Sequence, residues 1–150
     1  MQHPKHIPHK ERDSRINSAV TAIKALVGLD LIPKHKKNLI SSCIWKITEA
    51  DGKHNTRYRS YKSRSATKKQ LRDEHVHEHV FERKKLVEEI LKNPDNIDKI
   101  TKKAIACLVT KNEHKKLSEV SHKNPKLVGW ERYDKAHIKI CDLKKPKDYK

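Results

Sequence analysis

Apolar side chains are few in this chain, and most of them fall in a small number of short, patterned runs. The clearest runs span residues 16–29, 39–47 and 86–91, and their apolar positions recur at helical spacing. Only 34% of the 150 residues are hydrophobic, so one modest core is what the chain can bury. The pattern therefore predicts a single domain that is predominantly helical.

The order of the elements can be read from the same periodicity. Stretches with helical signals lie at 15–27, 34–50, 81–93, 95–104, 113–120 and 129–136. The run AIACLVT at 104–110 is apolar and partly β-branched, which predicts a buried strand. Residues 137–143 alternate apolar and polar and predict a second strand that could pair with the first.

We therefore expect an α+β fold, a helical single domain with a small two- or three-stranded sheet. The globular part should span 12–143. Residues 1–11 hold two Pro and three His with little apolar content and predict a flexible arm. Residues 144–150 predict a flexible basic tail.

The formal net charge is +17, from 36 Lys and Arg against 19 Asp and Glu. Like charge in this excess destabilises a compact chain, so a counter-charged partner is the natural explanation. The alternative explanation is a lysine-rich genome that makes protein surfaces basic. Because the cations are clustered, we favour a polyanion and expect nucleic acid, DNA or RNA. An acidic protein surface is the other candidate partner.

Cysteine usage and hydropathy bear on the compartment. Three cysteines lie far apart without a CxxC pair, which is typical of a reducing compartment. No apolar run approaches 18 residues, so we expect no membrane partner and a cytoplasmic protein.

The stretch 53–72 holds eight Lys and Arg and no acidic residue. Arg can hold phosphate oxygens through two parallel hydrogen bonds, and Tyr58 and Tyr61 could stack on unpaired bases. A solvated loop is the alternative. The candidate nucleic-acid contacts are Lys53, Arg57, Arg59, Arg64, Lys68, Lys69 and Arg72, with Arg132 farther along the chain.

Next comes His75-Val76-His77-Glu78-His79. In a strand the three imidazoles share one face, and in a helix the first and last meet across a turn. Either arrangement could hold a divalent metal or supply a general base. Polar positions where a strand or loop meets a helix are the alternative. The catalytic candidates of segment 75–83 are His77, Glu78, His79 and Arg83.

Residues 109–117 predict a strand that turns into a helix with Glu113 and His114 in its first turn. A helix N-terminus favours a nearby anion, so both residues are catalytic candidates. Glu113 could instead merely complement the helix dipole. In GWERY at 129–133 we expect Trp130 to be a core residue and Arg132 to be a phosphate clamp or substrate-positioning residue.

HEHVFERK at 77–84 followed by ACLVTKNEHKKL at 106–117 resembles the two ends of an HNH, or ββα-metal, endonuclease. The resemblance implies phosphodiester cleavage with one divalent metal, such as Mg, Mn or Zn. It implies that His79 is the base, Glu78 a metal-side acid and His114 a metal-binding residue. We take His79 and His114 as the candidate metal ligands.

The leading hypothesis is a small nuclease with a His/Glu site beside an Arg-rich strip. A metal-free ribonuclease would use the same residues. The alternative is a non-enzymatic basic module that binds nucleic acid or an acidic protein, as an inhibitor or accessory factor. A structural protein of a nucleoprotein particle is a third possibility. The oligomeric state stays open.

Overall fold

The computed structural model describes residues 5–144. Within that range seven α-helices surround one small sheet. The helices are α1 (Arg12–Gly28), α2 (Pro33–Thr48), α3 (Lys68–Glu74), α4 (Arg83–Lys92), α5 (Ile97–Thr101), α6 (Lys111–Lys123) and α7 (Trp130–Lys135). The strands are β1 (Tyr58–Ser60), β2 (His75–His79), β3 (Ala106–Thr110) and β4 (Ile140–Asp142). The predicted helical α+β class is confirmed.

A helical core unites the apolar runs of the sequence. Ile23 of α1, Ile40 and Ile44 of α2 and Ile90 of α4 are almost fully buried and pack in one cluster. Pro33 occupies the first turn of α2, where its fixed φ suits a helix start. These helices form because their apolar faces bury together, as the helical spacing predicted.

The sheet has the strand order β2-β3-β1-β4. Strand β1 runs parallel to β3 and antiparallel to β4, and β2 pairs antiparallel with β3. The expectation of two or three strands was too low, and β3 and β4 do not pair because β1 lies between them. With three residues, β1 is too short to show an alternating pattern.

Helices α6 and α7 cover one face of this sheet. Val80, Cys107, Val109, Leu117 and Tyr133 form the buried cluster between them. The sharp turn into α7 requires a glycine. Gly129 has φ +61, and a Cβ there would stand 2.5 Å from the ring of Phe81, closer than side chains tolerate. This turn fixes α7 over the strand end at Val80.

The predicted flexible arm is partly packed on the domain. His6 is buried, and its Nε2 lies 3.0 Å from a carboxylate oxygen of Asp51. Asp51 also accepts from the His9 amide at 2.9 Å and from the Arg12 side chain. Residues 1–4 and 145–150, which hold the rest of the predicted arm and tail, lie outside the described residues.

No helix within 5–144 has the length and apolarity to cross a bilayer.

Candidate active site

The face of the sheet under α6 carries a His–Glu dyad. Successive residues of β2 point to opposite faces, so Glu78 faces α6 while its two histidine neighbours face away. The ring N–H at Nδ1 of His114 donates to Oε2 of Glu78 at 2.5 Å. Glu78 is largely buried, with its side chain 13% exposed, whereas that of His114 is 44% exposed. The exposed imidazole therefore has one nitrogen fixed by a carboxylate and Nε2 left for a solute.

Arg132 holds this dyad from beneath. Its side chain is 2% exposed, and Nη1 lies 3.6 Å from Oε1 of Glu78. Its Nη2 donates to the backbone carbonyls of His79 at 2.7 Å and Val80 at 2.6 Å, and Nη1 donates to the Ser121 hydroxyl at 3.2 Å. A buried guanidinium with these partners holds the Glu78 carboxylate in place. Arg132 is buried and supports the dyad. The sequence had instead predicted a phosphate clamp or a substrate-positioning residue.

A capping box sets the position of His114. Thr110 accepts from the Glu113 amide at 3.1 Å, and the Glu113 carboxylate accepts from the Thr110 amide at 2.9 Å. The same carboxylate accepts from the Ser60 hydroxyl at 2.6 Å, and Glu113 is buried. Glu113 therefore works as a structural cap that fixes the first turn of α6. These contacts match the alternative in which Glu113 has a structural role at the start of α6 rather than a catalytic one.

His77 and His79 lie on the opposite face of the sheet, against α2. Their rings are 5.3 Å and 4.7 Å from Trp45, and Arg83 stacks over the same indole at 4.7 Å. Nδ1 of His77 bonds to the carbonyl of Lys53 at 2.8 Å. The candidates His77, His79 and Arg83 thus share a cluster of their own, and the sheet separates it from Glu78 and His114.

The two candidate metal ligands are not brought together. His79 packs on Trp45, and His114 bonds to Glu78 across the sheet. Within 5–144 no three His, Cys, Asp or Glu side chains are arranged as a group that could hold a metal ion. The shared site that the HNH resemblance implies for His79 and His114 therefore has no counterpart in their placement.

The basic stretch divides into engaged and exposed cations. Arg57 makes two hydrogen bonds to Asp142, at 2.8 and 2.7 Å. Arg59 is buried and donates to the carbonyl of Arg64 at 3.4 Å, and Arg64 stacks over the ring of Tyr61 at 3.5 Å. The exposed members are Lys53, Lys62, Lys68, Lys69 and Arg72, of which Arg72 pairs with Asp73.

Three exposed cations close to His114 in the chain were not singled out from the sequence. Lys111, Lys115 and Lys116 lie exposed on α6 within three residues of His114. A histidine flanked by lysines on the first two turns of a helix was the available signal. Lys111, one turn before His114, lies on the same side of α6, whereas Lys115 and Lys116 are displaced around the helix.

Burial leaves His79 neutral at ordinary pH. Desolvation, followed by the charges of His77, Arg83 and Arg132, lowers its pKa to about 3. Burial also lowers the pKa of His77. Neither ring nitrogen of His79 has a hydrogen-bond partner within the described part of the chain. An uncharged, unbonded imidazole in this place is a packing residue.

This burial predicts acid lability. An unfolded histidine takes up a proton below about pH 6.5, whereas folded His79 does not until about pH 3. The contribution of neutral His79 to the free energy of unfolding is therefore complete above pH 6.5 and falls as the pH drops toward 3. Between pH 7 and pH 5 the loss from His79 should be about 2 kcal/mol. Urea denaturation at the two pH values measures it.

A His79→Leu variant should lose that part of the pH dependence, since leucine fills the site without a titrating group. Replacing His122, which is exposed near the end of α6, by alanine should leave the pH dependence as in the wild type. An equal loss of stability at pH 5 in His79→Leu and the wild type would show that His79 is protonated in the folded state.

Comparison of the chain with protein-family models, with curated proteins and with solved structures finds no significant match. Any functional conclusion must therefore come from the chemistry of the site itself.

Proposed function

We propose that this protein cleaves RNA, with His114 as the general acid–base group and Glu78 as the residue that orients it. The observation that carries the proposal is the hydrogen bond from Nδ1 of His114 to Glu78. A carboxylate that accepts from one ring nitrogen fixes the tautomer, so that the other nitrogen is free to accept a proton. That exposed nitrogen is the reactive atom.

The surroundings of the dyad suit a phosphodiester. Lys111 is exposed one turn before His114 on α6, Lys115 and Lys116 add exposed charge to the same helix, and the chain carries a net charge of +17. Cations near the reacting phosphate offset the negative charge that builds up on its oxygens in the transition state. The same lysines attract the polyanion before the chemical step. An acid–base residue inside a cationic surface is what strand cleavage requires.

RNA is the favoured substrate because it carries its own nucleophile. Nε2 of His114 would take the proton of a ribose 2′-hydroxyl, and the 2′-oxygen would attack the adjacent phosphorus. The bond from phosphorus to the 5′-oxygen then breaks, that oxygen takes a proton from water, and the His114 imidazolium returns its proton to the hydroxide that remains. The products are a 2′,3′-cyclic phosphate and a 5′-hydroxyl, so protons and charge balance. One positioned imidazole is enough acid–base equipment for this route.

The test compares an RNA oligonucleotide with the same sequence in DNA, with and without a chelator. We expect cleavage of RNA in the presence of the chelator, a cyclic phosphate on the product, and binding without cleavage of DNA, which lacks the 2′-hydroxyl. Protein with His114→Gln, purified identically, serves as the control for contaminating ribonuclease.

Three results would overturn the proposal. Cleavage of DNA and RNA at similar rates, or a strict need for a divalent ion, would favour hydrolysis at a metal. Binding of both polymers without any turnover would leave a non-enzymatic nucleic-acid-binding module.

A further inference from the structure

A cavity opens on the same side of the sheet as the dyad, toward β1 and β4. Its volume is about 790 Å³, and aromatic rings form much of its wall. The ring of Tyr58 lies 5.0 Å from that of Trp130, which lies 5.1 Å from that of Tyr133. We call this cavity the aromatic groove, with Tyr58, Tyr61, Trp130, Tyr133, His137 and Lys139 among its lining residues.

The register of the sheet relates the groove to the dyad. Glu78 pairs with Cys107, Cys107 with Tyr58, and Tyr58 with Asp142. These four residues form one row across the four strands and point to one face. Glu78 and Tyr58 are two strands apart, which places their Cα atoms about 10 Å from each other. A substrate strand bound at His114 can therefore reach the groove.

Tyr61 is the exposed aromatic residue of the groove. Its side chain is 42% exposed, although burial of an aromatic ring is favourable. The Arg64 guanidinium covers one face of the ring, 3.5 Å from the ring centre, and donates to the Tyr61 carbonyl at 2.7 Å. Tyr133 is buried and Trp130 is half-buried against the same cluster, so Tyr61 with Arg64 is the exposed part that can meet a ligand.

His137 also lines the groove, in a backbone conformation that glycine would adopt more easily. Its φ is +56, and it follows α7 at the position where a left-handed residue ends a helix. The His137 amide donates to Asp134 at 3.1 Å, and the Ile138 amide donates to Tyr133 at 3.0 Å. A residue with a β-carbon is strained there. An exposed imidazole held at such a position points to a use for its side chain.

Charge separates the groove from the lysines of α6. Asp142 is paired with Arg57, and Asp134 and Lys139 add one charge of each sign. A nearly balanced aromatic cavity suits an uncharged, flat group better than it suits phosphate. The dyad and the groove thus offer separate surfaces for the two chemical parts of a nucleotide.

We infer that the aromatic groove binds an unpaired base of the RNA, stacked on Tyr61 and Arg64, with His137 placed to hydrogen-bond to the base edge. This inference rests on the proposed function, because it takes the RNA at His114 as the strand that supplies the base. Stacking on an aromatic ring requires a base that is free of a duplex. The substrate is therefore single-stranded RNA.

The experiment measures binding in a His114→Ala background, which leaves the RNA intact. Fluorescence anisotropy with labelled single-stranded RNA should show affinity about tenfold weaker for Tyr61→Ala, as expected for the loss of one stacked base. Tyr61→Phe keeps the ring and should bind as the background protein does. Fully paired RNA should bind equally to all three proteins.

His137→Gly separates binding from folding. Glycine relieves the left-handed strain, so the melting temperature should rise by a few degrees, while affinity for single-stranded RNA should fall. A higher melting temperature with unchanged affinity would remove His137 from the site.

Unchanged affinity in Tyr61→Ala, or equal weakening toward single-stranded and paired RNA, would overturn the groove as a base site. That outcome leaves the proposed function standing if the wild type cleaves RNA. Conversely, a tenfold effect of Tyr61→Ala in a protein that never cleaves RNA would keep the groove and remove the proposed function.

Discussion

Replacing His114 by alanine is expected to reduce the rate of RNA cleavage by about 10²- to 10⁴-fold, the range that one positioned acid–base group supplies. The loss should appear in kcat, since the imidazole acts on the proton in the transition state. Binding should persist, because the lysines of α6 remain. Single-turnover cleavage of a labelled RNA, with affinity measured separately, gives both quantities.

Glu78→Gln probes the orientation of the same ring. Glutamine nearly matches glutamate in shape, but its neutral amide no longer fixes the Nδ1 proton by charge, so the reactive tautomer is no longer imposed. We expect a loss of kcat smaller than that in His114→Ala, and nearly the same loss in the double variant as in His114→Ala alone. Residues that act as a unit show this non-additivity.

His122→Ala is the matched control, a histidine two turns farther along the same helix and exposed. It should cleave RNA at the wild-type rate. If His122→Ala and His114→Ala lose equal activity, the dyad is not the reactive centre. Full activity in His114→Ala would remove His114 from the mechanism outright.

Periodicity predicted the elements that bury a face. Helices α1, α2, α4 and α6 and strand β3 form where apolar spacing placed them, since each can bury its apolar side against a neighbour. Strand β1 has no such pattern, and α3 lies inside the basic stretch, where a Thr67–Gln70 capping box starts it. Short elements of this kind depend on tertiary contacts that local pattern does not encode.

Both members of the dyad were candidates from the sequence, and the HNH resemblance placed Glu78 and His114 at one metal, but their direct hydrogen bond was not predicted. Glu78 stands next to His79 in the chain, and adjacency suggested that the two act together. Strand alternation instead sends neighbours to opposite faces, and the antiparallel pairing of β2 with β3 brings α6 over Glu78. The register of β2 therefore decides that Glu78 meets His114 rather than a partner on the face of His79. A shift of one residue would invert the two faces.

The role of Arg132 was also beyond the sequence. Its distance from Glu78 in the chain is large, and an arginine in a basic protein is first taken as a phosphate contact. Only the placement of α7, set by the Gly129 turn against Phe81, buries the guanidinium beneath the dyad. Because it is buried, Arg132 stabilises the fold around Glu78 rather than contacting a ligand.

Arg132→Met should therefore be the most destabilising single substitution of a cation among those considered, with a loss of about 3–5 kcal/mol in the free energy of unfolding. Methionine retains much of the volume but none of the donors. The carbonyls of His79 and Val80 lose a partner, and the carboxylate of Glu78 is left largely buried beside an apolar chain. Urea denaturation of the purified variant measures the loss.

Arg57→Met is the matched control, because Arg57 also makes two hydrogen bonds to a carboxylate, that of Asp142, but its side chain is 35% exposed. Solvent screens that pair, so its loss should cost about 1 kcal/mol or less.

Adding Glu78→Gln to Arg132→Met should recover part of the lost stability, since it removes the unpaired charge, and the coupling should be about 0.5–3 kcal/mol. Equal losses in Arg132→Met and Arg57→Met, with no recovery in the double variant, would show that Arg132 does not support Glu78. His114 would then rest on a carboxylate that the fold itself does not hold in place.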